Sequence, residues 1–416
     1  MSALIQRRTE PLTGVQKVWP SVMSLTVLVA PTGLKEALTA REAAEAIAVG
    51  VARAAPGARI LKCPIVDGGE GFVHGLVDAT KGRLHRASVS GPRGEPISTE
   101  LGFLGGAEMS TAVVEIASAA GLSLIPHEHR NPLLTTSFGV GELIRAALDL
   151  GAERILVGCG DSGVNDAGIG MAQALGVRLL DAGGEDVGRG GGELARIARI
   201  DLSGRDPRLG AARIDAAVNW HNGLLGEKGV TRVYGRQKGA TPKQIAALEA
   251  GVVNFATRVW EATGLDVSTE PGAGASGGIG AGISALLGGQ LHCRYELLMP
   301  YCGFDEMLAT ADLVFTAESK LDAQTVFGKV PAEIGRRAGA KGVPVVLLAG
   351  IIAGESGAFV SHGIDSYSSI IDGPCDLADA LSRSAALLTS EAELIMRTIQ
   401  VGQRIGQRRS DVAKAS

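Results

Sequence analysis

The stretch Val157-Gly158-Cys159-Gly160-Asp161-Ser162-Gly163-Val164-Asn165-Asp166-Ala167-Gly168-Ile169-Gly170-Met171 decides how the rest of the chain is read. An apolar run, Ile155 to Val157, stops at a glycine turn, and a small-residue helix pattern follows with Asn165 and Asp166 near its start. That order is strand, loop, helix. Such a junction points backbone N–H groups and the positive end of a helix at one spot, which favours an anion such as phosphate. The acid and amide beside it can hold a metal ion or take a proton.

Upstream of this stretch, Leu25 to Ala30 reads as a buried first strand, and a turn at Pro31 to Gly33 leads to a helix that Lys35 opens and Ala54 ends. A second strand, Ile60 to Val66, runs into Asp67-Gly68-Gly69-Glu70-Gly71. Strand, helix, strand is the start of an α/β sheet. Functional groups in such sheets gather at the carboxyl ends of the strands, so Thr32, Lys35, Asp67 and Glu70 are expected to converge. Shorter strands are expected at Arg86 to Val89, Thr99 to Leu104 and Thr111 to Glu115, and Thr135-Thr136-Ser137 to cap a helix from Gly139 to Leu150.

Downstream come a strand at Val177 to Asp181, a glycine-rich loop, and a strand at Ile214 to Asn219 leading to Trp220-His221-Asn222. Gln237-Lys238-Gly239-Ala240 precedes a helix to Thr263, and the run Pro271 to Gly282 enters a small-residue helix. Strands at Leu313 to Thr316 and Val343 to Ala349 close the chain, before a last helix from Leu377 and a charged tail. The expected fold class is α/β with two α/β domains. Residues 23–75 and 297–416 form a discontinuous Rossmann-like domain, residues 76–296 an inserted one, and the cleft between them the ligand site. Residues 1–22 are expected to be a disordered extension: Arg7 and Arg8 faintly imitate a secretory signal, but Met23 stands directly before the first strand.

A chain of 416 residues is long enough for two domains. Its formal net charge of -4, with 20% charged residues, excludes the clustered basic excess of a nucleic-acid binder. The 59 glycines are about twice the usual roughly 7%, and aromatics make up only 4%. Tight backbone turns around small polar ligands are therefore expected, with few stacking platforms. Five cysteines without a CxxC pair point to a reducing compartment, the cytoplasm, rather than to disulfides. No apolar run reaches the roughly 18 residues of a membrane span. His127-Glu128-His129 reads as an exposed loop rather than a metal site.

Three acidic pairs stand at predicted strand ends: Asp67 with Glu70, Asn165 with Asp166, and Glu318 with Asp322. Any one alone reads as a turn cap, but three beside glycine loops read as a site. Lys35, Lys238 and Lys329 can neutralise phosphate, Lys35 and Lys329 the better placed because each follows a strand end. Gly158, Gly160 and Gly163 fit G-x-G-x-x-G after a strand, with Asp181 ending the next one, which is the pattern of an NAD-dependent oxidoreductase and stands as an alternative. Gly272 to Gly277 fits the same expression without a strand before it. No G-x-x-x-x-G-K-[ST] occurs, which disfavours a P-loop ATPase.

Ala30-Pro31 with Lys35-Glu36, Asp67 to Gly71, Glu115 to Leu122, Thr135 to Ile144, Asn165-Asp166, Gln237 to Ala240, Pro271 to Gly280 and Asp322 to Lys329 together resemble the ordered signature blocks of the bacterial glycerate kinase family. The resemblance spans roughly residues 23 to 400. It implies ATP-dependent phosphorylation of D-glycerate, usually to 2-phosphoglycerate, by a two-domain α/β enzyme whose middle domain is inserted into a Rossmann-like one. On that reading Mg-ATP lies along Gly272, Gly274, Gly277, Gly278, Gly160, Ser162 and Lys329. Asp166 activates the acceptor hydroxyl and Lys35 steadies negative charge. Asp67, Glu70, Asn165, Asn222 and Lys238 hold the hydroxy acid, and Glu318 and Asp322 hold Mg²⁺. The partners are small molecules, without nucleic acid or membrane, and a homodimer is compatible with the sequence.

The chain departs from the family pattern in its motifs. APDSxKES has become Ala30-Pro31-Thr32-Gly33-Leu34-Lys35-Glu36-Ala37, and GGSATNDGG has become Gly160-Asp161-Ser162-Gly163-Val164-Asn165-Asp166-Ala167-Gly168. CDVxNPL is replaced by Val218-Asn219-Trp220-His221-Asn222-Gly223-Leu224, with the loss of an aspartate, and FGPQKGA by Tyr234-Gly235-Arg236-Gln237-Lys238-Gly239-Ala240. TGEGxxDxQS reads Thr316-Ala317-Glu318-Ser319-Lys320-Leu321-Asp322-Ala323-Gln324-Thr325. A side chain in place of glycine blocks close backbone approach where φ is positive. A relative with another acceptor, or without kinase activity, is the further alternative.

Overall fold

Short apolar runs, buried on both faces, make the central strands of two mainly parallel sheets. The computed structural model describes residues 25–322, 325, 328–353 and 359–415. The first sheet joins both ends of the chain. Its five parallel strands lie in the order β13-β12-β11-β1-β2, where β1 is Thr26–Val29, β2 Arg59–Lys62, β11 Leu313–Asp322, β12 Val345–Ala353 and β13 Ser366–Ser369. Successive side chains point to opposite faces. Val27, Val29 and Phe315 pack under α1 (Ala40–Ala54) and α12 (Leu377–Ala415). Leu28, Val314 and Val345 pack under α9 (Arg294–Cys302), α10 (Phe304–Leu308) and α11 (Val330–Gly339).

The second sheet comes from the middle of the chain, in the order β10-β9-β6-β5-β4-β3. β5 (Thr111–Glu115), β6 (Arg154–Gly158), β9 (Arg213–Val218) and β10 (Gln290–Cys293) are parallel, and β3 (Arg83–Ser90) with β4 (Pro96–Phe103) adds an antiparallel edge hairpin. One face packs on α3 (Ala117–Ala120), α4 (Phe138–Asp149), α5 (Ile169–Ala174), α6 (Val230–Tyr234), α7 (Pro242–Thr263) and α8 (Ala275–Gly282). The other packs on α2 (Phe72–Thr80) and on Leu298 of α9. Because α9 also sends Tyr295 and Met299 into the first sheet's core, it lies between the two sheets. β7 (Arg178–Leu180) and β8 (Arg199–Asp201) form a separate antiparallel ribbon.

The strands stand close to where the apolar runs predict them, but several helix boundaries differ. Lys35 opens no helix. Thr39 and Glu42 form a reciprocal capping box that starts α1 at Ala40, which leaves Lys35 on the preceding turn. β2 stops at Lys62, short of the expected Val66, and the charged tail continues α12 to Ala415. The expected domain seams at residues 75/76 and 296/297 fall inside α2 and α9, two helices that the sequence reading did not separate from their loops. The expected extension, residues 1–22, lies outside the described residues. Among the described residues no helix is long and apolar enough to cross a membrane.

Candidate active site

The loops leaving the carboxyl ends of the parallel strands interlock. The segment after β2 crosses to the end of β6 so closely that a Cβ on Gly160 would stand 2.6 Å from the Cα of Gly69. Arg294, the first residue after β10, is 9% exposed, and it donates to the Asp67 carbonyl at 3.1 Å and to the Gly328 carbonyl at 2.6 Å. Its guanidinium also lies 3.5 Å from the Asp67 carboxylate, so one buried cation ties together the ends of β2, β10 and β11.

Lys35 and Asp161 meet at the centre. Lys35 Nζ lies 2.8 Å from Asp161 Oδ1, the Glu70 N–H donates to Asp161 Oδ2 at 3.2 Å, and the Lys35 N–H donates to Ser319 Oγ at 2.6 Å. Burial works against ionised Asp161, yet the Lys35 ammonium holds its carboxyl below the usual carboxylate range. Lys35 is correspondingly raised: burial opposes its charge, but Asp161, Asp67 and Glu70 outweigh it. The Lys35 side chain is 73% exposed and that of Asp161 31%, so water reaches the ammonium while the carboxylate is half-buried. An arriving anion can therefore reach the ammonium and compete with Asp161 for it. Among the described residues, the N–H groups of Gly160, Asp161 and Ser162 donate to no protein acceptor, so they and Lys35 together form an anion cradle.

A second cluster lies at the end of β11. Lys329 Nζ stands 2.9 Å from Glu318 Oε1 and 3.5 Å from Asp322 Oδ1, and the Thr325 hydroxyl donates to Glu318 Oε2 at 3.4 Å. Burial raises Glu318, with Lys329 opposing. No group of three or more metal-ligating acids, histidines or cysteines forms among the described residues. Two hard carboxylates still suit Mg²⁺, which usually takes one or two of them and completes its shell with water and phosphate oxygens. The residues present fit that ion as a companion of nucleotide phosphates, with Lys329 already bridging the two acids as a cation would.

Asp166 requires a correction. It is fully buried, and its carboxylate accepts from the Ser137 N–H at 2.7 Å, the Ser137 hydroxyl at 2.9 Å, and the N–H groups of Gly168 and Gly170 at 3.2 and 3.4 Å. Enclosed and saturated in this way, it organises α4 and α5 and does not reach an acceptor hydroxyl. Ser137 accordingly makes no side-chain cap for α4. Lys238 is 5% exposed and donates to Ser162 Oγ at 3.0 Å and the Val164 carbonyl at 2.6 Å, so it braces the central loop from behind instead of facing a ligand. Burial pushes Lys238 down to about 7, with Asp166 opposing. Asn165 is likewise enclosed, donating to Thr231 Oγ1 at 3.0 Å, while Asn222 accepts from the Tyr234 hydroxyl at 3.3 Å.

Two glycine motifs also behave differently from expectation. Gly272, Gly274, Gly277 and Gly278 are buried, and the N–H groups of Gly274 and Gly278 are bonded to the carbonyls of Asn222 and Gly274. These two therefore offer no free donors to phosphate. Ser276, Gly277 and Gly278 are left-handed, with φ of 53°, 76° and 90°, and a Cβ on Gly277 would lie 2.0 Å from the Val164 carbonyl. The run's glycines let it press backbone to backbone on the central loop. The fingerprint at Gly158, Gly160 and Gly163 fails at Asp181, whose carboxylate accepts from the N–H groups of Gly183 and Glu185 and pairs with Arg196 at 3.2 Å. The strand before it, β7, pairs with β8 and not with β6, so Asp181 does not stand beside the loop where a ribose would need it.

The structure thus brings Lys35, Asp67, Glu70, Gly160, Glu318, Asp322 and Lys329 to one edge, with Ser162, Asn165, Asp166 and Lys238 behind it. The sequence reading assigned no role to Asp161, Arg294 or Glu115. For Asp161 a signal existed, an acid where the family pattern has glycine. Glu115 opens one of the signature blocks, while an arginine at a strand end carries no mark that separates it from a solvated one.

Residues 27–400 match the glycerate kinase family. The chain is 43% identical to a glycerate kinase of Bacillus subtilis over 379 residues, covering 91% of this chain and 99% of that one. It is 38% identical to a glycerate 2-kinase of Escherichia coli, with the same coverage. A crystal structure from Salmonella typhimurium LT2, assigned as a glycerate kinase 2, superposes with a TM-score of 0.76 at 40% identity, over 92% of this chain and 100% of that one.

Proposed function

Because the chain belongs to the glycerate kinase family, we propose that it transfers the γ-phosphoryl group of ATP to a hydroxyl of D-glycerate, giving 2-phosphoglycerate. Membership makes it a phosphotransferase with an alcohol acceptor. The observation that carries the site assignment is the meeting of Lys35, Asp161 and the free N–H groups of residues 160–162 across from Lys329 and its two carboxylates.

Phosphoryl transfer needs positioning and charge neutralisation more than covalent help from the protein. Lys35 and the central loop take the phosphates, with Asp161 swinging away from the ammonium as they arrive. Lys329 adds a second positive charge from the end of β11. Glu318 and Asp322 would hold Mg²⁺, which would supply further neutralisation of phosphate charge. Asp67 and Glu70, fixed by Arg294 and by Asp161, face the acceptor. Asp166, Asn165 and Lys238 keep the loop in shape from its buried side.

We read the two sheets as two domains that share α9, working as a homodimer or a monomer in the cytoplasm. An ADP-release screen tests the activity. Turnover with D-glycerate above that with related sugar acids is expected. Thermal stabilisation by D-glycerate or ATP without ADP release for any acceptor would instead mark a relative that binds and does not phosphorylate.

A further inference from the structure

With Asp166 enclosed, the acceptor hydroxyl needs another carboxylate to take its proton, and the end of β5 offers one. Glu115 is 6% exposed, and its Oε2 accepts from the Val73 N–H at 3.2 Å in the first turn of α2. It lines a cleft of about 360 Å³ together with Gly71, His74, Arg86, Ser98, Glu100 and Ser118. That volume lies at the lower end of the roughly 300–1,000 Å³ typical of small-molecule sites.

The hairpin makes the cleft's outer wall. β4 pairs with β5 at Gly102 and Val113, and because the two run antiparallel Glu100 comes level with Glu115 and Ser98 reaches past the carboxyl end of β5. On this wall His74 Nε2 lies 3.3 Å and Arg86 Nε 3.9 Å from Glu100, so two basic side chains surround one acid. Glu115 itself pairs in register with Gly158, one strand from the loop that carries Asp161. The cleft therefore adjoins the anion cradle.

Resting on the phosphoryl-transfer reading, we propose that this cleft is the hydroxy-acid subsite, with the acceptor's carboxylate turned to Arg86 and His74 and Glu115 as the general base. As the acceptor oxygen forms its bond to the γ-phosphorus, the bond to the β–γ bridging oxygen breaks and ADP leaves. The hydroxyl proton passes to a Glu115 oxygen. Burial raises Glu115 to about 7, the Val73 and Phe72 N–H groups oppose the rise, and Glu70 and Asp161 add to it. The other ionisable groups facing it are His74 on α2, Arg86 on β3 and Glu100 on β4. A base titrating near 7 is ionised above that pH and accepts a proton efficiently close to it.

The test uses the full chain, with steady-state ADP release measured from pH 5.5 to 9 and calorimetric titration of D-glycerate alone. Wild type should lose kcat below about pH 7, and Glu115→Gln should lower kcat by about 10²–10⁴-fold, abolish that acid limb and leave the KM for D-glycerate within about threefold. Arg86→Ala should raise that KM and weaken direct D-glycerate binding at least tenfold, with the KM for ATP unchanged. A Glu115→Gln enzyme that keeps its kcat and acid limb, or an Arg86→Ala protein that binds D-glycerate normally, overturns the subsite while wild-type turnover keeps the kinase reading. Should Glu115→Gln fail to fold, a wild-type rate flat across this pH range overturns the base. Wild type that binds D-glycerate yet releases no ADP defeats the kinase reading, and Arg86→Ala then still decides the binding half.

Discussion

At the scale of single residues, the chemistry turns on an exposed ion pair and a buried carboxylate that look alike in the sequence. Lys35→Ala should cost roughly 10²–10³-fold in kcat/KM, by analogy with removing one charge-stabilising donor, while stability to urea falls by about 1–3 kcal/mol because half-buried Asp161 loses its partner. Unaltered turnover would take Lys35 out of the site. Asp166→Ala should do the reverse. It strands the N–H groups of Ser137, Gly168 and Gly170, and at about 1–3 kcal/mol for each buried unpaired group the loss of stability should reach several kcal/mol. A variant with normal stability and no turnover would restore Asp166 to the chemistry. The placement of Lys35, Glu318 and Lys329 at one edge was legible because they stand at the ends of strand-like apolar runs. The role of Asp166 was not, since an acid opening a helix reads the same whether water or a closed cap surrounds it.

At the scale of elements, close approach decides what local propensity cannot. Gly50 of α1 faces α12 so tightly that a Cβ there would lie 2.2 Å from the Thr389 carbonyl and 2.9 Å from the Ala392 Cβ, beside the bond from the Thr389 hydroxyl to the Ala46 carbonyl. Gly50→Ala would gain up to about 1 kcal/mol of helix propensity. Separating the two helices should cost about 1–3 kcal/mol and outweigh it, so the variant should melt lower. A rise in Tm would show that α12 can yield. The central strands were readable because both faces are buried, which leaves unbroken apolar runs such as Thr26–Val29 and Val345–Ala349, whereas the more exposed edge strands Gln290–Cys293 and Ser366–Ser369 were not. α2 and α9 were hidden. One is nine residues with a glycine inside, and the other carries Pro300 and divides its apolar residues between two cores. The left-handed turn at Ser276–Gly278 lies against the Val164 carbonyl so closely that a Cβ on Gly277 would clash with it, a contact between distant parts of the chain that local sequence does not reveal.

At the scale of the whole molecule, the order of the signature blocks already implied one sheet made from both chain ends and another from the middle. What it did not imply is how the carboxyl ends of the two sheets share a wall, with α9 between them and Arg294 fastening three strand ends at once. The central claim is that nucleotide phosphates settle on that shared edge, replacing the Asp161 carboxylate at Lys35. A crystal structure with a non-hydrolysable ATP analogue, Mg²⁺ and D-glycerate measures this directly. The account predicts the triphosphate against the N–H groups of residues 160–162, between Lys35 and Lys329, with the Lys35–Asp161 pair broken. A triphosphate bound on another surface, with that pair intact, would contradict it.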